Sequence, residues 1–339
     1  MPTALITGAT GLVGTHTAQR LRHDGWAVRA LVRDPARANG LTRAGVTLAI
    51  GDTLDAASVA AAARGCEVIF HAAAAVTPAG GWEAFSRPNV EGTRNVIAAA
   101  GAARARLVHV SSVAVYGSNA RYAKAGRPTD EEMPLAPLPE HAFYARSKRE
   151  SEALVLEAHA SGRVWATAVR PDVIYGTHDR QFVPRLARLL RRLRFAPIVG
   201  GGGNTLAIVH AADVADGMVR AATIDAAGGR AYNLANDFDV TTREFFRLAG
   251  EGLGIRLRLA NIPYVVARAA LGMFSLIASS RWSAAMDGSL GFLTRDNPFT
   301  SARARRELGW SPVVRPEDGV PEAFRWAAER SVTAREGRG

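Results

Sequence analysis

A phenol and an amine stand four residues apart in Tyr144-Ala145-Arg146-Ser147-Lys148. On a helix that spacing puts both on one face, one turn apart. A tyrosine hydroxyl with a pKa of roughly 10 shuttles protons poorly at neutral pH, and a neighbouring ammonium lowers that value by stabilising the phenolate. The composition singles this amine out, because among 42 basic residues only Lys124 and Lys148 are lysine. Where Arg supplies simple positive charge, a retained Lys is expected to be needed as an amine. Such a pair suits proton transfer at an oxygen in step with hydride transfer at its carbon. Ser111-Ser112, ending a predicted strand, offers a hydroxyl to steady the developing oxyanion. Taken alone, the serines serve equally well as turn formers and the Tyr-Lys pair as a surface pair.

Hydride chemistry needs a carrier, and Thr7-Gly8-Ala9-Thr10-Gly11-Leu12-Val13-Gly14 follows the first predicted strand and opens a helical stretch. Gly8, Gly11 and Gly14 let backbone approach a pyrophosphate at the helix N-terminus, with Thr10, Leu12 and Val13 lining it, so a dinucleotide is the expected ligand. Cofactor choice is decided at the end of the second strand, where a carboxylate would hold ribose hydroxyls and repel a 2′-phosphate. The run there is Arg29-Ala30-Leu31-Val32-Arg33-Asp34. The acidic place falls near Val32, and Arg33 offers a guanidinium fork to a phosphate, so NADP(H) is preferred. NAD(H) is the alternative, because Asp34 could reach a ribose.

The elements that position these residues alternate. Ala4 to Thr7, Ala27 to Val32, Thr47 to Ile50, Val68 to Ala72, Leu107 to Val110 and Val164 to Val169 read as strands between Ala- and Arg-rich helical stretches. That rhythm predicts an α/β fold, a doubly wound parallel sheet of the Rossmann type with ligands at the strands' carboxyl ends. After Gly176 helices dominate, with short strands at Leu206 to Val209 and Ala231 to Leu234. The expected organisation is a dinucleotide-binding domain over 1–175, a smaller and mainly substrate-binding lobe over 176–330 with segments returning to the sheet, and a tail over 331–339.

Charge and apolar patterning exclude other classes. A formal charge of +11 spread along the chain, without basic runs interleaved with aromatics, does not read as nucleic-acid binding. Cys66 is the only cysteine, so no intramolecular disulfide or cysteine metal cluster can form, no metal site is expected, and a cytoplasmic setting with Cys66 buried as a small hydrophobe is consistent. The first residues lack a basic segment and read as a strand rather than a signal peptide. The longest apolar stretch, Ile262 to Ser280, is broken by Arg268 and predicts a core helix, not a membrane span. Val265, Val266, Ala269, Ala270 and Phe274 recur at helical spacing, which makes peripheral membrane contact the alternative to burial.

From residue 3 to about residue 328 the chain resembles the extended short-chain dehydrogenase/reductase family, the NAD-dependent epimerase/dehydratase superfamily. Besides the glycine loop and Tyr-x-x-x-Lys, Gly51-Asp52-Thr53-Leu54-Asp55 resembles its adenine-contacting segment and His71-Ala72-Ala73-Ala74 its cofactor-lining strand end. Asn89-Val90-Glu91-Gly92-Thr93 is similar to its Asn-containing helix, Ser111-Ser112-Val113-Ala114-Val115-Tyr116-Gly117 to its catalytic-serine strand, and Arg170-Pro171-Asp172-Val173-Ile174-Tyr175-Gly176 to the turn beside the nicotinamide. The resemblance implies Ser112, Tyr144, Lys148 and Asn89 as catalytic residues, Asn89 positioning a water or backbone for proton relay. It adds Asp52, Thr53, Ala72, Ala73, Ala74, Ser111, Pro171 and Val173 to the cofactor site.

Val113-Ala114 stand where the family's sugar dehydratases carry Asp-Glu, and Pro171, Asp172 and Val173 where its nucleotide-sugar epimerases carry an Asn. Both absences move the reading toward 3β-hydroxysteroid and sterol dehydrogenases, which the second half resembles in Ala231-Tyr232-Asn233-Leu234-Ala235-Asn236-Asp237 and Glu307-Leu308-Gly309-Trp310-Ser311-Pro312. Dihydroflavonol-reductase-like members share the Val32-Arg33-Asp34-Pro35 turn and use NADP(H), whereas steroid dehydrogenases often use NAD. The implied activity interconverts a secondary alcohol and a ketone on a bulky, mostly apolar molecule, with Val76, Val115, Phe143, Ile174 and Phe182 facing it. His178 and Gln181, following the nicotinamide-side turn, are expected in an exposed loop, with orientation of a substrate polar group as the alternative. A homodimer is the expected assembly. The rival readings are a nucleotide-sugar epimerase with bound NAD and a non-catalytic dinucleotide-sensing scaffold.

Overall fold

A computed structural model describes residues 1–76, 80–119, 128–275 and 296–336. Seven strands form one parallel sheet: β1 (Thr3–Thr7), β2 (Ala27–Val32), β3 (Thr47–Ile50), β4 (Val68–His71), β5 (Arg106–Val110), β6 (Ala166–Pro171) and β10 (Ala231–Leu234), in the order β10-β6-β5-β4-β1-β2-β3. The chain runs outward from β1 through β3, then returns to the other side of β1 at β4. That reversal opens a crevice at the carboxyl ends of β1 and β4. β4, β6 and β10 are buried along their whole length, as a parallel sheet covered on both faces requires.

The covering helices are α1 (Leu12–His23), α2 (Asn39–Arg43), α3 (Ala56–Ala63), α4 (Glu83–Ser86), α5 (Gly92–Ala103), α6 (Phe143–Ala160), α7 (Phe182–Leu193), α8 (Ala211–Thr223), α9 (Thr242–Gly252), α10 (Tyr264–Ser275), α11 (Ala302–Leu308) and α12 (Pro316–Glu336). One apolar core gathers Ile6, Val13, Leu21, Phe70, Met218 and Trp310. Another gathers Leu5, Ile69, Val96, Leu107 and Val155, and includes Cys66. A third, built from Tyr175, Leu190, Phe245, Phe246 and Phe324, joins α7, α9 and α12. Among the described residues no helix is long and apolar enough to cross a membrane.

The central strands fall within one or two residues of the sequence reading. Three further strands, β7 (Val173–Tyr175), β8 (Phe195–Val199) and β11 (Arg258–Ile262), were not expected from it. They form two small parallel pairs, β7 with β9 (Ile208–His210) and β8 with β11. The strand expected at Leu206 to Val209 is displaced accordingly. Ile262 closes β11 instead of opening a helix, and Pro263 separates it from α10. Core burial is corrected for the first turn of that helix, where Tyr264, Val265 and Val266 are 47, 75 and 55% exposed. Residues 276–280 of the expected helix, Lys124, and residues 337–339 of the tail lie outside the described residues.

One polar knot sits inside the fold. Arg170, at the end of β6, donates from Nε and Nη2 to the Glu152 carboxylate of α6, both side chains under a tenth exposed. Arg170 Nη1 also reaches Tyr116 Oη at 2.9 Å, and that hydroxyl donates to Asn233 Oδ1 of β10 at 2.8 Å. Removing one partner of a buried ion pair leaves the other charge uncompensated, at a cost of about 3–5 kcal/mol. Glu152→Ala is therefore expected to lower unfolding free energy by roughly that amount in urea denaturation. A midpoint within experimental error of the wild type would refute this.

Candidate active site

The crevice between β1 and β4 is a cleft of about 1250 Å³. Its floor is the glycine loop. Gly8 holds φ +73°, and a Cβ there would lie 2.6 Å from Ala73 N; only glycine meets both conditions. A Cβ on Gly14 would strike the carbonyl of Gly8. Gly11 caps α1 with extended backbone and no side-chain hydrogen bond, so the first-turn N–H groups face the cleft as an anion site. These missing side chains and free donors fit a dinucleotide pyrophosphate.

The walls carry the residues that the sequence singled out. Gly8, Thr10, Gly11, Leu12, Val13, Gly14, Arg33, Asp52, Thr53, Ala72, Ala73, Ala74, Ser111, Ser112, Tyr144, Lys148, Pro171 and Val173 all line it. Ser111 Oγ is buried there without a hydrogen-bond partner among the described residues. At the rim Arg33 is 77% exposed and 3.8 Å from Asp52 Oδ2. Beside it, Asp34 Oδ1 accepts from Ala36 N at 3.0 Å, capping the 3₁₀ turn Pro35–Ala38.

Tyr144 and Lys148 share a face of α6. Burial pushes the Tyr144 phenol above its ordinary value, and a hydrogen bond with Ser112 pulls it back. Lys148 Nζ donates to the Val110 carbonyl. Burial lowers Lys148 to about 8, opposed by the Glu152 carboxylate one turn on. The Lys148 charge opposes protonation of His71 and His109. His71, held to about 3 by burial and Lys148, bonds Thr7 Oγ1 at 2.7 Å and Thr93 Oγ1 at 2.9 Å. His109 is likewise driven well below its usual value and bonds Ser151 Oγ at 3.1 Å. Both imidazoles are neutral spacers beneath the site.

Asn89 stands apart from the cleft wall. It lies in a π-turn over Arg87–Glu91, 1% exposed. Its Oδ1 accepts from Ala75 N at 2.6 Å, and its Nδ2 donates to Ala75 O and to Ser147 Oγ, both at 2.9 Å. Asn89 thus ties the segment after β4 to α6.

Of the expected apolar lining, Val76, Ile174 and Phe182 face the cleft. Val115 is fully buried and Phe143 packs on Trp82 and Phe85, so neither does. Gln181 lines the cleft, while His178 lies between the His16 and Trp326 rings, partly buried rather than exposed. Sequence reasoning missed Arg37, Arg180, Asp172 and Phe299. Burial raises the Asp172 carboxyl to about 7; it accepts from Asn236 N and Asn297 Nδ2. Its place in the Arg170-Pro171-Asp172 run was the available signal; Arg37, Arg180 and Phe299 carry none in sequence.

A reversed-order parallel sheet, a glycine cradle and a Ser, Tyr, Lys set on one cleft define a nicotinamide-dinucleotide enzyme. Residues 4–235 match the model of the NAD dependent epimerase/dehydratase family, and the chain belongs to that family. It is 34% identical over 333 residues, 95% of each chain, to the 4-hydroxy-2-methyl-3-oxo-4-farnesyl-3,4-dihydroquinoline-1-oxide ketoreductase of Stigmatella aurantiaca. It is 26% identical to 3beta-hydroxysteroid-dehydrogenase/decarboxylase isoform 2 of Arabidopsis thaliana, over 98% of this chain and 64% of that one. The crystal structure of UDP-glucuronic acid 4-epimerase from Bacillus cereus in complex with NAD shares the fold, with a TM-score of 0.75, 16% identity and coverage of 97% and 99%.

The depressed Lys148 carries a consequence for stability. An ammonium favoured in the unfolded chain up to about pH 10.5 but in the folded one only to about 8 penalises the fold fully below pH 8. The penalty fades as pH rises from 8 to 10.5. Without cofactor, Lys148→Met should be more stable than wild type at pH 7 by on the order of 3 kcal/mol, the two converging near pH 10.5. Parallel denaturation curves across pH measure this; a pH-independent gap would count against it.

Proposed function

We propose that this protein interconverts a ketone and a secondary alcohol on a bulky, mostly apolar substrate, with NADP(H) as preferred cofactor and NAD(H) as the alternative. The observation that carries the reading is the placement of Ser112, Tyr144 and a buried Lys148 together on the wall of one cleft. A bound nicotinamide supplies or accepts the hydride. Tyr144 Oη gives its proton to the carbonyl oxygen in reduction and takes it back in oxidation, while Ser112 Oγ hydrogen-bonds that same oxygen. Lys148, on the phenol's helix face, supplies cationic character and a donor toward the nicotinamide ribose once its bond to Val110 O is exchanged. Asn89, by fixing Ala75 to Ser147, holds the two walls in register.

Substrate class follows from the walls. Val76, Val173, Ile174, Phe182 and Phe299 give an apolar surface beside Tyr144, suited to an extended hydrocarbon skeleton. The names of the relatives, a farnesylated quinoline ketoreductase and a steroid dehydrogenase, agree with it. The preference for NADP(H) rests on Arg33 at the rim and on Asp34 being spent on a helix cap. Work in the cytoplasm as a homodimer, with Cys66 a buried free thiol, completes the reading.

Tyr144→Phe should keep cofactor affinity and lower kcat by about 10²–10⁴-fold, the usual share of a general acid; single-turnover rates that match wild type would remove Tyr144 from the reaction. Arg33→Ala should raise KM for NADPH about tenfold, the loss of one charge-assisted contact, and leave KM for NADH unchanged. An undiminished NADPH preference would sink that assignment.

A further inference from the structure

The loop after β7 is more heavily built than a connector requires. His178 sits at φ +68°, a conformation that L side chains adopt at a cost and that the surroundings must enforce. The enforcement is visible on three sides. His16, in the second turn of α1, bonds the Thr177 carbonyl through Nε2 at 3.1 Å. The His178 ring packs edge-on against His16 and lies 5.4 Å from Trp326 of α12. Asp179 accepts from the backbone N–H groups of Gln181, Phe182 and Val183 at 2.7–3.3 Å, which consumes its carboxylate in starting α7. The loop is therefore pinned beside the helix whose N-terminus faces the cofactor's pyrophosphate.

What it presents is Arg180. This side chain lines the cleft, and Arg37, carried by the chain after β2, lines it from the dinucleotide side. No ion pair to either guanidinium is present among the described residues. Asp179 is spent on backbone, Asp34 on its cap, and Asp52 lies against Arg33. Burial first, and then the like charges of Arg37 and Arg330, disfavour the charge on Arg180. Arg330 is stacked 5.0 Å over Trp326, which leaves Arg37 and Arg180 as the pair turned to the cleft. Unneutralised like charges drawn together by a pinned loop are unfavourable until an anion lies between them.

We propose that Arg180 is a phosphate-binding residue of the cofactor site, closing with Arg37 over the phosphate groups of the dinucleotide, so that the loop following β7 contributes directly to cofactor affinity. This rests on the dinucleotide reading of the cleft. The phosphate gripped is the pyrophosphate or the 2′-phosphate, and the two are separable by ligand.

Calorimetric titration of wild type, Arg180→Ala and Arg180→Lys with ADP-ribose and with 2′-phospho-ADP-ribose tests it. Arg180→Ala should weaken at least one ligand about tenfold, as loss of one charge-assisted contact implies. Lys should restore part of that, and the Ala variant should show a shallower loss of affinity with added salt. Weakening of both ligands places Arg180 at the pyrophosphate; weakening of the phosphorylated one alone places it at the 2′-phosphate. Wild-type affinity for both, or a loss with unchanged salt dependence, overturns the proposal. If the NADP(H) preference fails, wild type binds both ligands alike, and a loss of ADP-ribose affinity in Arg180→Ala still supports Arg180 at the pyrophosphate.

Discussion

The bidentate contact between Arg170 and Glu152 fixes the parts of the site to one another. Taking both charges out of water is costly, and the arrangement holds because each is satisfied: Glu152 by the guanidinium, the guanidinium by Glu152 and Tyr116, and Tyr116 by Asn233. Three members of the knot stand close in sequence to a cleft residue. Glu152 is one turn beyond Lys148 on α6, Arg170 directly precedes Pro171, and Tyr116 lies four residues after Ser112. A helix, a strand end and a 3₁₀ turn, drawn from separate stretches of chain, are thereby held in one geometry.

Electrostatics below the site follow from dryness. His71 and His109 are fully enclosed, 5.3 Å apart, and stay uncharged because burial and Lys148 both oppose protonation. Two neutral rings next to one buried ammonium leave Glu152 as the carboxylate that favours it. Lys148 is thus cationic at neutral pH by a modest margin. Tyr144 is set differently, by its own burial against a single Ser112 hydrogen bond.

Much of this was legible in sequence, for identifiable reasons. The central strands announced themselves because burial on both faces demands continuous apolar runs, as in Val68-Ile69-Phe70, and the glycine loop because its spacing is dictated by backbone approach. β8 and β11 did not, since Phe195-Ala196-Pro197-Ile198-Val199 contains a proline and Arg258-Leu259-Ala260-Asn261-Ile262 no alternation. The run from Ile262 read as one helix because apolar periodicity cannot show that a strand pair claims its first residue. Val115 and Phe143 were apolar in the right neighbourhood, but which side of a wall a side chain faces is decided by tertiary packing. Arg37, Arg180 and Phe299 meet only through the fold, and the hydrogen bond of Asp34 to Ala36 N is a local turn contact that residue spacing does not announce.

The glycine cradle has a bearing on how such a protein can change. Gly8 presses against Ala73, and Gly14 against Gly8, so the floor consists of backbones already in contact across β1, α1 and the end of β4. A side chain at either position would have to displace the others, which makes single-step variation there inaccessible. Arg33 and Arg37 are exposed at the rim, outside the packed core, and can be exchanged without displacing the backbones of the floor. On the cofactor reading proposed above, divergence in nucleotide choice among descendants of this chain falls to a mutable edge around a frozen floor.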